Sequence, residues 1–214
     1  RLLLVTGGPG NGKTTLAEGI AEALSCPFLV VRYEAIIGSY LGETAQRIAQ
    51  VFEHARTRQC VLFFDEFDAI GKERGDIHET GEIKRVVSSL LLQIDALPSY
   101  VIVVTASNHP ELLDRAVWRR FQIRLELPKP APAQIEVWLS RFLSHLPSGP
   151  GVTPKTIAQR LKGLSFAEIQ DFGTDVQRRV ALAGPDGDAK QIVTQCLSQW
   201  SKRFSPDDNS SKRG

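Results

Sequence analysis

Residues 7–15 read Gly7-Gly8-Pro9-Gly10-Asn11-Gly12-Lys13-Thr14-Thr15. They indicate the fold class, because they follow the apolar run 2–5 and precede a helical pattern. A strand, a glycine-rich loop and a helix in this order are the setting of the phosphate loop G-x-x-x-x-G-K-[ST]. The loop aims backbone N–H groups at an anion, and the helix adds its positive dipole end. Lys13 would supply a charge for the outer phosphates, and the Thr14 hydroxyl would bind Mg²⁺. The sequence therefore predicts a nucleoside triphosphate site with residues 7–15 as its cradle.

Strand and helix patterns alternate through the first half of the chain. Parallel strands that are buried on both faces have continuous apolar sequences. Helical stripes lie between these runs, and the first consists of Leu16, Ile20 and Leu24. The pattern predicts an α/β fold over residues 1–130, a three-layer P-loop NTPase domain with about five parallel strands and its ligand at their carboxyl ends. The predicted strands are residues 2–6, 28–31, 61–64, 101–105 and 121–127.

The second half of the chain is predicted to be helical. Three prolines within residues 128–132 exclude a helix or a central strand there, so this segment is interpreted as a linker. Thr153-Pro154 and the capping box Ser165/Glu168 are helix starts. We expect a small all-α domain over residues 131–204 and a disordered tail over 205–214. The first helical stripe is Ile135, Trp138, Phe142 and Leu146.

Composition and charge restrict the class of protein. The net charge of +2 over 214 residues excludes a strongly basic nucleic-acid binder by charge alone. No apolar stretch approaches the roughly 20 residues that cross a bilayer. Cys26, Cys60 and Cys196 fit no metal spacing, so we expect reduced thiols and a cytoplasmic location. Because the chain has no Met and opens inside a strand, we expect it to be a fragment.

Two adjacent acids, Asp65 and Glu66, follow the apolar run 61–64. This places them at the carboxyl end of a strand, at the edge of the sheet where the phosphate loop lies. Asp65 is predicted to hold Mg²⁺, directly or through water. Glu66 is predicted to orient or deprotonate an attacking water. The pair favours hydrolysis of ATP over phosphoryl transfer to a metabolite.

Four motifs in order make the chain resemble the AAA+ ATPases, and in particular the core AAA clade of FtsH-like, katanin-like and spastin-like proteins. The motifs are residues 64–71 (FDEFDAIG), 103–110 (VVTASNHP), 113–117 (LDRAV) and 165–168 (SFAE). The resemblance covers the chain from Leu2 to about Ala181. It implies a five-stranded α/β domain with a helical lid, nucleotide between the two, and a homo-oligomeric ring, usually of six subunits.

The resemblance also implies roles for three polar residues. Asn108 lies where the family has a sensor residue, whose neutral amide can hydrogen-bond the γ-phosphate or the attacking water. Arg120, and as second choice Arg119, lie in the region of the arginine finger, which stabilises transition-state charge on a neighbouring subunit's nucleotide. The sequence before Phe121 lacks the Arg-Pro-Gly-Arg-Phe spacing of many members.

The segment Ser39-Tyr40-Leu41-Gly42-Glu43 resembles the family's pore loop. A ring of Tyr40 and Leu41 side chains could grip a polypeptide, since aromatic faces contact any chain. The alternative is a tyrosine packed under a loop. Residues 72–78 could form a second pore loop.

The leading hypothesis is an ATP-hydrolysing ring that remodels or threads a protein substrate. The second is a nucleotide-gated assembly module that controls a separate effector such as a protease. A DNA-directed motor is disfavoured by the near-neutral charge and by the lack of a sensor-2 arginine in the helical part. Arg178 and Arg179 are interpreted there as a solvated helix face.

Overall fold

The computed structural model describes residues 1–32, 41–68, 79–113, 115–146, 151–184 and 187–204. The chain divides into two compact units, Arg1–Pro128 and Lys129–Gly214. The predicted domain limits at residues 130 and 204 stay predictions, and the predicted tail lies outside the described residues.

The first unit alternates strands and helices, as its sequence pattern predicts. A 3₁₀ turn at Pro110–Leu112 follows the fourth strand. The described strands and helices of this unit are, in order, β1 (Leu2–Thr6), α1 (Lys13–Ala23), β2 (Phe28–Val31), α2 (Leu41–Arg56), β3 (Cys60–Phe64), α3 (Glu79–Asp95), β4 (Val101–Ser107), α4 (Arg115–Arg120) and β5 (Ile123–Glu126).

The five strands form one parallel sheet in the order β2-β3-β4-β1-β5, which confirms the predicted fold class. In β1, Leu4 pairs with Thr105 of β4 and with Arg124 of β5. Because β3, β4 and β1 are neighbours, the loops after these three strands meet at one edge of the sheet. The phosphate loop follows β1, the predicted acids follow β3, and Asn108 follows β4.

Side chains that alternate along each strand supply a core on each face of the sheet. Leu2 and Leu4 join the core that packs on α2 and α3, whereas Val5 joins the core beneath α1. On α1 the fully buried residues are the alanines Ala17 and Ala21.

The predicted burial stripe of α1 was partly wrong. Leu16 and Ile20 are only partly buried, and Leu24 caps the helix with 43% of its surface exposed. The small alanines form the centre of the buried face because they let the helix approach the sheet closely.

The second unit is helical, as predicted. Its first helix begins at Pro132, inside the segment interpreted as a linker, because proline is tolerated in the first turn of a helix, where its missing N–H has no intrahelical acceptor. Thr153 and Ser165 cap the next two helices, and Ser165 forms the predicted capping box with Glu168. The helices are α5 (Pro132–Leu143), α6 (Pro154–Arg160), α7 (Phe166–Ala183) and α8 (Ala189–Phe204).

The buried residues of α5 differ in part from the predicted stripe, because two of them lie one position further along the chain than predicted. Ile135 is buried as expected, together with Leu139 and Leu143. Trp138 and Phe142 flank this line, and their rings stack with centroids 5.1 Å apart. None of the helices within the described ranges has the length and apolarity needed to cross a membrane.

Candidate nucleotide site

The phosphate loop is shaped by glycines that adopt positive φ angles. Gly7, Gly10 and Gly12 have φ values of 143°, 73° and 89°, which glycine adopts without the steric cost of a Cβ. At Gly7 the reason is also packing, since a Cβ there would lie 2.4 Å from the carbonyl oxygen of Leu127. Gly12 is the N-cap of α1, so the loop leads directly into the helix N-terminus. An anion at this end of α1 would face its free backbone N–H groups.

Asn11 anchors the loop to the residue that follows β5. Its Nδ2 donates to the Leu127 carbonyl oxygen at 2.9 Å, across 116 positions of sequence. Its side-chain oxygen Oδ1 is buried and has no hydrogen-bond donor among the described residues. A buried polar atom without a partner is costly and is uncommon in native proteins. The sequence placed Asn11 in the cradle but gave no signal for this long-range contact.

Lys13 is held inside the loop by three oxygen acceptors. Its Nζ donates to the carbonyl oxygens of Gly7 and Gly8 at 2.8 and 3.0 Å, and to Asn108 Oδ1 at 2.6 Å. Only 7% of the residue is exposed. Burial lowers the pKa of the Lys13 ammonium, while the charges of Asp65 and Asp68 act in the opposite direction. The structure thus brings two predicted residues, Lys13 and Asn108, into direct contact.

The two predicted acids lie at the end of β3 with different exposure. Asp65 is half-buried and its Oδ1 accepts the backbone N–H of Glu66 at 3.0 Å. Glu66 is exposed and has a φ of 50°, a left-handed conformation that is strained for a residue with a Cβ. Strain of this kind concentrates where geometry serves function. The chain bends directly after β3, and the sequence alone did not predict this conformation of Glu66.

A third acid, Asp68, was part of a quoted motif but received no predicted role. It is 5% exposed, and its Oδ1 accepts the backbone N–H of Asn108 at 3.1 Å. The backbone N–H of Phe67 donates to the carbonyl oxygen of Ala106 in β4 at 2.8 Å, so the segment after β3 is also held to the end of β4. Asp68, Asn108 and Lys13 therefore form a continuous hydrogen-bonded row along the edge of the sheet.

The donor set is compatible with a magnesium nucleotide. Within the described ranges, no cluster of three or more His, Cys, Asp or Glu side chains could hold a metal ion by itself. Mg²⁺ commonly binds through one or two protein oxygens, with water and substrate phosphates completing its shell. Thr14 is half-buried at the start of α1 and Asp65 ends β3, so the chain offers that type of ligand. Pro9 and Thr15, also predicted members of the cradle, are exposed.

The two candidate finger arginines differ in their contacts. Arg120, the first choice, pairs through Nε with Asp95 Oδ2 at 2.8 Å, and its Nη1 donates to the Ala116 carbonyl oxygen at 3.2 Å. Arg119 is exposed and makes no hydrogen bond or ion pair with the described residues. Both lie at the end of α4, a helix that the sequence analysis did not predict.

The structure describes only some of the other residues with predicted roles. Tyr40 and residues 72–78 lie outside the described residues, and Leu41 is the first residue of α2. Of the two arginines interpreted as a solvated face, Arg178 is exposed. Arg179 is not solvated in the way predicted, because it bridges Asp175 at 3.1 Å and Gln199 of α8 at 2.7 Å.

Comparison with known sequences assigns the family. Residues 3–129, which are more than half of the chain, match the family described as ATPase family associated with various cellular activities (AAA). The chain therefore belongs to the AAA family of ATPases, as its motifs indicate.

Individual relatives share 32–43% identity with the chain. An uncharacterized AAA family ATPase of Sinorhizobium fredii is 43% identical over 78% of this chain and 50% of its own length. A putative 26S proteasome regulatory subunit homologue of Methanothermobacter marburgensis is 32% identical over 90% of this chain and 53% of its own. The ATP-dependent zinc metalloprotease FtsH 3 of Sphaerobacter thermophilus is 33% identical over 95% of this chain and 43% of its own length. The chain spans about half the length of these relatives.

Proposed function

We propose that the chain hydrolyses ATP at the edge of the sheet formed by the ends of β1, β3 and β4. The contact between Lys13 Nζ and Asn108 Oδ1 at 2.6 Å carries this proposal, since it joins the phosphate loop to the segment after β4. The acids after β3 lie beside the same edge, and the Asp65 charge acts on Lys13. The nearness of these candidate residues to one another supports a role for them in binding phosphate, holding a metal and accepting a proton.

Each side chain has a role that its chemistry allows. The backbone of residues 7–12 and Lys13 bind the phosphates, and Thr14 and Asp65 hold Mg²⁺, which when bound neutralises charge that develops on the transferred group. Glu66 takes a proton from the attacking water. Asn108 orients that water or the γ-phosphate with a neutral amide.

We further propose that active subunits form a homo-oligomeric ring, in which Arg120, with Arg119, reaches the nucleotide bound by the neighbouring subunit. The exposure of Arg119 supports this role. Arg120 would first have to leave Asp95, an ion pair in which the two side chains are 31% and 43% exposed. Such a pair costs only about 0.2–1 kcal/mol to break.

The work of the ring is proposed to be the remodelling or threading of a protein, with Tyr40 and Leu41 as the gripping residues. Two relatives support a link to proteolysis by their printed names, a proteasome regulatory subunit homologue and an ATP-dependent metalloprotease. The same names favour the second candidate, a nucleotide-gated module that controls a separate protease. Nucleic acid is not proposed as a substrate, given the net charge of +2.

The shared site is tested by ATP turnover per subunit as a function of protein concentration, with sizing in ATP. Turnover is expected to rise steeply with concentration, and Arg120→Ala and Arg119→Ala are expected to reduce it while ATP binding survives. Arg115→Ala, an exposed arginine at the other end of α4, is the matched control and should match wild type. Turnover that is flat in concentration and indifferent to both arginines would remove the shared site.

The gripping role is tested separately with Tyr40→Ala. Loss of ATP-driven unfolding of a tagged model protein with ATP turnover retained would support threading. Unchanged unfolding activity would reject the role of Tyr40, and unfolding undetectable even in wild type would favour the gated module.

A further inference from the structure

The end of β3 carries a buried carboxylate that the proposed chemistry does not use. Asp68 is 5% exposed, whereas Glu66, two residues earlier, is exposed to solvent. A buried charge is costly unless hydrogen bonds or an opposite charge compensate it. One of its oxygens is committed to the backbone N–H of Asn108 at 3.1 Å. Because Asp68 is buried and already accepts the Asn108 N–H, its contact with the segment after β4 is the role that the structure offers for it.

The group that Asp68 holds is the backbone of the proposed sensor residue. Asn108 is the first residue after β4, where the ladder with β1 ends at the pair Thr6 and Ser107. Beyond that point none of the described strands pairs with the backbone of Asn108. The Asp68 carboxylate holds the backbone at this point, because it accepts the Asn108 N–H.

The side chain of Asn108 depends on this backbone contact. An asparagine side chain has only two rotatable bonds between its backbone and its carboxamide, so a fixed backbone limits the positions that its oxygen can reach. That oxygen is 2.6 Å from Lys13 Nζ, inside the phosphate loop. A shift of the Asn108 backbone would therefore be passed to the phosphate end of the site.

We propose that Asp68 is a positioning residue for ATP hydrolysis, which acts by accepting the Asn108 N–H and so fixing the Asn108 carboxamide at the phosphate loop. The inference rests on the proposed function, since it requires Asn108 to act in hydrolysis. Asp68 itself touches neither the nucleotide nor the attacking water. Its effect belongs to the catalytic step, and ATP binding by residues 7–15 is expected to change little.

The test is a double-mutant cycle of Asp68→Ala and Asn108→Ala in the chain described here. Steady-state phosphate release gives kcat and KM, and titration with a fluorescent ATP analogue gives affinity. Each single variant is expected to lower kcat, by up to about 100-fold for a displaced catalytic group, with KM changed far less. If Asp68 acts through Asn108, Asp68→Ala causes no further loss of kcat when Asn108 is already alanine.

Asp68→Asn separates positioning from simple loss of stability. Asparagine keeps an acceptor oxygen at nearly the same place, so it is expected to restore most of the kcat that Asp68→Ala loses. Ser107→Ala is the matched control. It removes the Ser107 Oγ that accepts the His109 N–H at 3.1 Å, one residue along, and should change the unfolding midpoint without a comparable loss of kcat.

The outcomes distinguish a failure of the positioning role of Asp68 from a failure of the proposed role of Asn108. Losses of kcat that multiply in the double variant, or Asp68→Asn as impaired as Asp68→Ala, would overturn the positioning role and leave the proposed function intact. An Asn108→Ala variant with wild-type kcat would overturn both the role of Asn108 and the inference built on it. If Asp68→Ala does not fold, Asp68→Ser replaces it in the cycle, because its short side chain does not reach the Asn108 N–H and the same criteria apply.

Discussion

The two units of the chain follow the rules of protein stability to different degrees. In the helical unit, α6 and α7 begin at side-chain caps, and the half-buried Asp175 is paired with Arg179 and Trp200. In the first unit, the edge of the sheet holds a desolvated lysine, a buried amide oxygen with no donor among the described residues, and a glutamate at positive φ. Local departures from ideal structure are expected where a protein binds and reacts. The contrast supports the proposal that the sheet edge is the site of function.

The largest effect that would sharpen this contrast is expected from Lys13→Ala. Removal of the ammonium should lower ATP turnover by at least about 100-fold, comparable to the loss of one key donor to transition-state charge. The unfolding midpoint should stay close to that of wild type, because the change also removes the burial cost of a charge. Phosphate release and thermal unfolding measure the two quantities. Lys155→Ala, an exposed lysine of α6, is the control, and an equal loss of turnover there would void the comparison.

In the helical unit the opposite result is expected from Ser165→Ala. Ser165 accepts the Glu168 N–H, and the Glu168 carboxylate accepts the Ser165 N–H at 2.6 Å. Loss of this N-cap should cost about 1 kcal/mol of unfolding free energy, measured by urea denaturation. Ser140→Ala, within α5, is the control and should be neutral or slightly stabilising, because alanine is the better helix former. Equal effects of the two changes would contradict the role of the cap.

A smaller effect is expected from replacing residues at positive φ by glycine. Glu66→Gly should raise the unfolding free energy by up to about 1 kcal/mol, since it relieves the left-handed strain of a residue with a Cβ. Ser25→Gly, at the same φ of 50°, should give a similar gain. Only Glu66→Gly should abolish hydrolysis. A stability loss at Glu66 alone would show that its conformation is stabilised by contacts and is not a strain retained for function.

The smallest effect is the pH dependence of the contact between Asp175 and Arg179. Burial opposes the shift, but the hydrogen bond and charge of Arg179 lower the pKa of Asp175 below its usual 3.8. A carboxylate with a lowered pKa in the folded state stabilises the fold above its unfolded pKa and loses this contribution as the pH falls through the folded value. The stability difference between wild type and Asp175→Asn should therefore be present at pH 7, begin to decline below pH 3.8 and vanish once the pH is below the folded pKa of Asp175. A difference that persists at low pH would assign the effect to packing.

The fold was predictable because its signals are local. The apolar runs at 2–6 and 28–31 coincide with β1 and β2, and Thr153 and Ser165 mark helix starts that the structure confirms. The errors concern which residues of a helix are buried most deeply. Alanines occupy the centre of α1 and leucines that of α5, a choice made by packing against partners that the sequence does not reveal.

The common location of the candidate site residues was predictable from the sequence, but their contacts were not. The order of motifs brought residues 7–15, Asp65, Glu66 and Asn108 to one edge of the sheet. The contacts from Asn11 to Leu127 and from Asp68 to Asn108 span 116 and 40 positions, and no local pattern encodes such pairs. The ion pair of Arg120 with Asp95 was missed for the same reason.

The central claim, that this edge of the sheet hydrolyses ATP with Glu66 as the proton acceptor, is tested most directly by measuring ATP binding and phosphate release for wild type and Glu66→Gln. The amide keeps the shape of the carboxylate and removes its basicity. We expect Glu66→Gln to bind ATP as tightly as wild type and to release almost no phosphate. Phosphate release at the wild-type rate would show that Glu66 is not the proton acceptor.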